Sequence, residues 1–140
     1  MKIIIANQHE RVGLWACNIL GATFNKESSV CFGLEEDGEL IAGVIFDNYR
    51  VKSIAMHVAA IGKRWLCREF LWACFDYPFR QLNVNKVIGY VSEDNLDAQR
   101  FDEHLGFTIE AIIKDADQGG DVLIYTMTKE QCRFLEIKHG

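Results

Sequence analysis

The 140-residue sequence has no excess of positive charge and no long apolar run. Its 15 Lys and Arg residues are outnumbered by 20 Asp and Glu residues, for a net charge of −5. Because affinity for nucleic acid comes mainly from cations that neutralise phosphates, this balance counts against a nucleic-acid-binding surface. No apolar run reaches the roughly 18 residues of a membrane-spanning helix, and the apolar start at 1–5 is too short for a signal peptide. We therefore expect a cytoplasmic protein with no nucleic-acid partner and no membrane partner.

The sequence also lacks the spacings typical of metal sites and disulfide frameworks. Its five cysteines include no C-x-x-C pair, and its four histidines show no metal-ligand spacing. We therefore expect buried free thiols and no bound metal. Apolar residues make up 49% and charged residues 25% of the chain, as in ordinary globular domains, and no repeat or linker interrupts it. Residues 1–140 are predicted to form a single domain.

Hydrophobic periodicity predicts alternating strands and helices in the order β-α-β-β-β-α-β-α-β-β-α. A capping box of Asn7 and Glu10 predicts the start of the first helix, and one of Thr128 and Gln131 predicts a short C-terminal helix. This order predicts a mixed α/β fold on one partly antiparallel sheet. Strands are predicted over 2–6, 30–34, 40–46, 52–60, 86–92, 107–114 and 122–128, and the longer helices over 7–20, 64–79 and 95–105.

The middle of the chain combines an apolar strand, a turn with one glycine and two cations, an amphipathic helix and a further strand. A helix then opens at Asn95-Leu96-Asp97-Ala98 and stops at Leu105-Gly106-Phe107. In order and spacing, residues 53–107 resemble the acetyl-CoA-binding core of the GNAT family of N-acetyltransferases. Within the family, the chain resembles small phage and bacterial members and the branch that acetylates the N-termini of ribosomal proteins. It implies a mostly antiparallel sheet of six to seven strands with one splayed strand pair and helices on both faces.

The resemblance implies acetyl-CoA as the co-substrate. In the family, N–H groups at the end of the fourth strand bond the pantetheine arm and the thioester oxygen. The following turn wraps the pyrophosphate, where a glycine relaxes the backbone and cations add to the helix dipole. This chain keeps one glycine in that turn and has bulky residues where the family has small ones. The residues implied to bind the cofactor are Val58, Ala59, Ala60, Gly62, Lys63, Arg64, Trp65, Asn95 and Ala98.

Acetyl transfer needs a neutral amine, and an amine of pKa 10.4 is neutral in only about one molecule per thousand at pH 7.4. Glu93, after the fifth predicted strand, and His57, inside the fourth, are the candidate general bases. Each also has a structural reading, because Glu93 precedes a helix and His57 can face the side opposite the thioester; water is a third alternative. Where many family members carry a tyrosine that protonates the leaving thiolate, this chain has Asp102. We expect a solvated Asp102, with a catalytic role as the alternative.

These observations predict an acetyl-CoA-dependent N-acetyltransferase that acts on a primary amine of a protein N-terminus, a lysine or a small molecule. The alternatives are a tRNA-directed acetyltransferase, which the charge of −5 disfavours, and a GNAT fold that binds CoA or a protein partner without turnover. A plain interaction module is the last alternative. Trp65 and Trp72 fall on the polar stripe of the predicted second helix, which indicates a partner surface or a lip over the cofactor, with burial under the first or last helix as the alternative. A homodimer is left open.

Overall fold

The computed structural model describes residues 1–136 and contains one seven-stranded sheet of order β1-β2-β3-β4-β5-β7-β6. Every neighbouring pair is antiparallel except β4 and β5. The predicted mixed α/β class with a mostly antiparallel sheet is confirmed. The strands are β1 (Lys2–Ile5), β2 (Val30–Glu36), β3 (Glu39–Asp47), β4 (Ser53–Ala60), β5 (Lys86–Ser92), β6 (Thr108–Asp117) and β7 (Gly120–Thr128), and the helices are α1 (His9–Leu20), α2 (Arg68–Asp76) and α3 (Leu96–Leu105).

The parallel strands β4 and β5 pair over their first halves and then separate. Within the described residues, their pairing ends at Ala55 and Ile88. Beyond that point, β4 stays paired with β3 as far as Ala60, and β5 stays paired with β7 as far as Ser92. A gap therefore opens in the sheet between the second halves of β4 and β5. This gap is the splayed strand pair that the family resemblance implies.

The two faces of the sheet carry separate hydrophobic cores. Because side chains alternate along a strand, the adjacent residues Cys31 and Phe32 point into different cores. On one face, α1 packs through Val12 and Ala16, both fully buried. On the other face, α2 packs through residues such as Phe70. Helices therefore cover both faces, and no helix in the described part of the chain is long and apolar enough to cross a membrane.

The first helix begins one residue later than its predicted capping box requires. α1 starts at His9 with Gln8 as the N-cap, and no side chain bonds the free N–H groups of that cap. Instead, Nδ1 of His9 accepts a hydrogen bond of 2.9 Å from the Cys31 N–H of β2. The prediction of an Asn7–Glu10 capping box is therefore wrong, because the first helical residue is held by the sheet.

The second helix is shifted along the chain relative to its prediction over 64–79. Residues 63–66 form a turn, in which the Leu66 N–H donates to the Lys63 carbonyl over 3.2 Å, and α2 begins only at Arg68. Pro78 does not end the helical path, because residues Tyr77–Gln81 continue as a π-helical turn. The wider i→i+5 bonding of that turn is seen between the Leu82 N–H and the Tyr77 carbonyl, 3.0 Å apart.

Trp65 consequently lies before α2 and not on its polar stripe. Its side chain is 4% exposed, and its ring packs against Phe101 of α3 and Phe70 of α2, with centroids 5.1 and 6.3 Å away. The interpretation of Trp65 as part of an exposed partner surface is therefore wrong, because side chains of α2 and α3 pack against it. Trp72 lies half-buried on α2.

The capping box near the C-terminus forms without the helix that it predicts. The Thr128 N–H donates to Gln131 Oε1 over 2.9 Å, and the Gln131 N–H donates to Thr128 Oγ1 over 3.2 Å. Turn residues follow, and then a short 3-10 helix at Phe134–Glu136. The remainder of the predicted C-terminal helix lies at 137–140, outside the described residues.

Candidate active site

Two cavities meet in the gap between β4 and β5. The turn cavity, of about 900 Å³, lies between the end of β4, the turn 61–66 and α3. The loop cavity, of about 450 Å³, lies between β3, β4, β5 and the loop 22–25 after α1. Both volumes are in the range of small-molecule sites. The residues common to both cavities, which define their junction, are Leu20, Val58, Asn95, Ala98 and Phe101.

The backbone of β4 presents unpaired donors to this junction. The Ile61 N–H donates to the Ile41 carbonyl of the neighbouring strand β3 over 2.9 Å. Because the N–H groups of successive residues on a strand point to opposite sides, those of Ala60 and, two residues earlier, Val58 point away from β3 and into the gap. Pairing with β5 has already ended there. Two backbone donors therefore face the place where the cavities meet, as an oxyanion requires.

The turn cavity combines small residues with positive charge. Gly62 has φ +68°, a left-handed conformation that favours glycine. Lys63 lines the cavity and adds a cation to it, whereas Arg100, which also lines it, lies 3.7 Å from the carboxylate of the lining residue Asp97. Asn95 is the N-cap of α3, and its Oδ1 accepts the Ala98 N–H over 3.1 Å. An anionic ligand with a narrow apolar arm fits such a site.

The predicted cofactor-binding residues are brought together with one exception. Val58, Ala59, Ala60, Gly62, Lys63, Trp65, Asn95 and Ala98 all line the turn cavity. Arg64 forms an ion pair with Glu36 of β2, and its carbonyl accepts a hydrogen bond of 2.5 Å from Lys2 Nζ. Arg64 is thereby directed towards the β1–β2 side and does not line this cavity.

The loop cavity is acidic and aromatic, and it contains one of the two predicted bases. His57 Nε2 lies 2.9 Å from Asp47 Oδ1, and both side chains are about one third exposed. The His57 ring stacks on Tyr90 of β5, with 6.5 Å between centroids and 17° between planes. All three residues line the loop cavity. A cationic amine would meet a carboxylate, an imidazole and an aromatic face here.

Asp102 also lines the loop cavity, from the α3 side. Burial, with a smaller contribution from the neighbouring Glu103 carboxylate, raises the pKa of Asp102 from 3.8 to about 7. The Asp102 side chain is half-buried against the cavity, so it is only partly solvated. The sequence spacing indicates this position, because Asp102 stands four residues after Ala98 and therefore lies on the same face of the helix.

Glu93, the other predicted base, lies outside both cavities. Its N–H donates to the Asp121 carbonyl over 3.0 Å, and its carboxylate lies over the β6–β7 turn, where a side chain on Gly120 would collide with it. The residue follows β5 but is drawn to the outer hairpin and away from the gap. Of the two predicted bases, His57 lines a cavity and Glu93 does not, as far as the described residues 1–136 show.

Sequence reasoning missed Asp47 and Tyr90. The hairpin register that pairs Ile45 with His57 puts Asp47 on the same face, two residues along the neighbouring strand. Among the described residues, no group of three or more His, Cys, Asp or Glu side chains is placed to hold a metal ion.

Comparisons with known proteins give structural neighbours. No family model matches the chain, and no curated protein matches it in sequence. A mutant form of the spermidine/spermine N-acetyltransferase SpeG from Vibrio cholerae has a TM-score of 0.73, with 18% identity over 97% of this chain and 98% of that chain. The chain has the GNAT fold. The spermidine N-acetyltransferase from Vibrio cholerae in complex with CoA and spermine has a TM-score of 0.72, with 16% identity over 93% of this chain and 96% of that chain.

A dodecameric structure of the spermidine N-acetyltransferase from Vibrio cholerae is similar as well. Its TM-score is 0.72, with 16% identity over 92% of this chain and 94% of that chain. At these identities the likeness establishes the fold, and the activity has to be argued from the cavities of this chain.

Proposed function

We propose that this protein is an acetyl-CoA-dependent N-acetyltransferase that transfers an acetyl group to a primary amine. One observation carries the proposal: two cavities meet at a gap in the sheet, where the N–H groups of Val58 and Ala60 have no partner among residues 1–136. The neighbours with this fold are N-acetyltransferases, and one of them is in complex with CoA and spermine. Both the architecture and its junction therefore support a two-substrate transfer.

Acetyl-CoA fits the turn cavity by shape and charge. The pyrophosphate would lie at the turn, near Lys63 and the relaxed backbone of Gly62. The pantetheine arm would pass between the end of β4 and α3, where Ala60 and Ala98 leave room for a narrow chain. This direction brings the thioester to the junction, within reach of the free β4 donors.

Transfer then follows from direct attack. The amine nitrogen forms a bond to the thioester carbon, the carbonyl oxygen becomes an oxyanion held by the β4 N–H groups, and the carbon–sulfur bond breaks to release the CoA thiolate. The amine gives up one proton, for which His57 stays a predicted acceptor in the loop cavity. Glu93 does not line the loop cavity, which favours His57 of the two predicted bases.

The acceptor enters through the loop cavity in this proposal. The Asp47 carboxylate favours a cationic amine there, and the naming of the neighbours as spermidine N-acetyltransferases supports a small amine. A lysine or a protein N-terminus, as in the N-terminal branch of the family, stays a prediction. So do the cytoplasmic location and the homodimer.

A thermal-shift experiment tests the cofactor. The melting temperature would be measured with acetyl-CoA, with CoA, and with ATP as control. A ligand at 100 times its Kd adds about 2.7 kcal/mol, a rise of several degrees for a domain of this size. Ala98→Leu should fill the junction and abolish the rise, whereas Ala116→Leu on the exposed strand β6 should keep it.

The acceptor screen follows on the same protein. A rise with both CoA forms, none with ATP, and acetylation of any amine in a panel would support the proposal. A rise without transfer to any amine would favour the alternative of a GNAT fold that binds CoA without turnover. No rise with millimolar acetyl-CoA would contradict the proposal outright.

A further inference from the structure

The Asp102 carboxylate lies beside the junction with no hydrogen-bond or ion-pair partner among residues 1–136. On α3, it stands one turn after Ala98 and next to Phe101, and both of these residues line both cavities. It faces β5 at Gly89, where an added Cβ would lie 3.3 Å from Asp102 Oδ2. The carboxylate thus projects into the gap from the helix side, and the missing side chain of Gly89 leaves space for it.

His57 is placed differently in the same cavity. Its Nε2 is engaged by Asp47, and its ring is stacked on Tyr90. It also belongs to the sheet face that α1 covers, since it pairs with Ile45 of the α1 core. His57 is therefore held by two neighbours on the α1 side of the sheet, whereas Asp102 is an unpartnered group beside the residues of the junction.

An unpartnered carboxylate in a desolvated position is suited to take a proton from an ammonium ion. Burial disfavours both charged forms, so it raises the proton affinity of a carboxylate and lowers that of an amine. The neutral pair of carboxylic acid and amine gains relative to the ion pair as water leaves the cavity. Loss of water therefore reduces the pKa difference between the carboxyl group and the amine, which is several units in water.

We propose that the Asp102 carboxylate accepts the proton that the acceptor ammonium loses before its nitrogen attacks the thioester. The proton passes from nitrogen to a carboxylate oxygen, and the freed electron pair forms the bond to the acetyl carbon. The electrons of the carbon–sulfur bond leave with the CoA thiolate, which takes up the second proton that the nitrogen loses as the neutral amide forms. The Asp102 acid later returns its proton to solvent. This inference rests on the proposed acetyl transfer and names the base within it.

The proposal predicts the pH dependence of turnover. A base must be ionised, so kcat/KM should rise with pH until Asp102 is fully deprotonated, and burial raises its pKa to about 7. An acid in the same place would give the opposite slope, because its protonated form is lost as the pH rises. The other titratable groups that face Asp102 or share its cavity are Cys17 of α1, Asp47 of β3, His57 of β4, Tyr90 of β5, Glu103 of α3 and Tyr125 of β7.

The test compares kcat/KM from pH 5.5 to 9 for the wild type, Asp102→Asn, Asp102→Glu and His57→Gln, with acetyl-CoA and one accepted amine. Titration of the free amine is common to all four proteins, so differences between profiles report the enzyme. Asp102→Asn should lose about 10²- to 10⁴-fold in kcat/KM and the inflection near pH 7. Asp102→Glu should keep an inflection, and His57→Gln should keep it near pH 7.

Two results would overturn the assignment. One is an inflection that disappears in His57→Gln and persists in Asp102→Asn. The other is a wild-type kcat/KM that falls, relative to Asp102→Asn, as the pH rises through 7. The melting temperature with acetyl-CoA separates this failure from a failure of the proposed function. Asp102 does not line the turn cavity, so Asp102→Asn should keep the rise, and a wild type with neither rise nor turnover would reject both proposals.

Discussion

Asp47 Oδ1 lies 2.9 Å from His57 Nε2, across the β3–β4 pair. A carboxylate accepts hydrogen bonds, so this contact places a ring proton on Nε2. The β3–β4 register, which pairs Asp47 with Ala55 and Ile45 with His57, sets the contact. The pair therefore fixes the orientation of the imidazole at the loop cavity.

Asp47→Ala should lower kcat/KM for a cationic amine about 10- to 100-fold. It removes both a hydrogen bond to a charged group, worth about 1.5 to 3 kcal/mol, and the negative charge that attracts the acceptor. Steady-state kinetics at fixed acetyl-CoA would measure the loss. Glu39→Ala, on the exposed end of the same strand, is the matched control and should change kcat/KM little. Equal effects of the two substitutions would contradict a role of Asp47 in the loop cavity.

The strands and α3 could be predicted from the sequence because each is specified locally. Apolar alternation marks the strands, and Asn95 caps α3 through its own side chain, as the bond to Ala98 shows. The start of α2 could not be predicted in the same way. It depends on the burial of Trp65 against Phe101, a residue 36 positions away in sequence, and that contact overrides the helical spacing of 64–67.

The residues of the candidate site likewise differ in whether they could be predicted from local sequence. The small residues and Lys63 of the turn cavity follow from strand, turn and helix order, so the family resemblance finds them. The Asp47–His57 contact needs the register of a hairpin, which no single residue specifies. For Glu93, the predicted position after β5 is correct. Its carboxylate, however, lies over the turn between β6 and β7 and not in the gap.

Lys63 and Arg64 are adjacent cations for which the structure predicts different effects on CoA binding. Lys63 lines the turn cavity, whereas Arg64 is paired with Glu36. Lys63→Gln should raise the Kd of CoA about 3- to 10-fold, since one exposed ionic contact is worth up to about 1 kcal/mol. The effect should shrink in 1 M salt, where charges are screened within about 3 Å. Calorimetric titration of both variants measures it, and a larger loss in Arg64→Gln would show that Arg64 leaves Glu36 for the ligand.

Cys67 should be the fast-reacting thiol of the folded protein. It is half-buried at the N-cap of α2, whereas the other cysteines (Cys17, Cys31, Cys74 and Cys132) are at most 7% exposed. Burial also raises the pKa of Cys31 to about 11 and that of Cys74 well above its ordinary value, which removes the reactive thiolate.

A disulfide reagent should therefore label about one thiol quickly in native buffer and all five after unfolding. Cys67→Ser should remove the fast phase, and Cys132→Ser should leave it unchanged. A fast phase that survives Cys67→Ser would contradict the burial of the other four thiols.

Asp102 should make the folded protein less stable as the pH rises from about 4 to about 7. Its pKa is about 7 in the folded chain and near 3.8 in the unfolded chain, so between these values the folded state binds more protons. The free energy of unfolding then falls with increasing pH, and this loss is complete above pH 7. The cause is the cost of ionising a carboxyl group that is buried without a partner.

Asp102→Asn removes this penalty and should therefore stabilise the protein at pH 8 relative to pH 4.5. A gain on the order of 1 kcal/mol would raise the melting temperature by about 2 to 5 °C. Thermal unfolding of both proteins at the two pH values measures the difference. Glu39→Gln, which removes one exposed acid from β3, is the control for the loss of one negative charge. If the Asp102→Asn difference were the same at pH 4.5 and 8, the carboxyl group would titrate with its ordinary pKa, and the pH profile proposed for turnover would lose its physical basis.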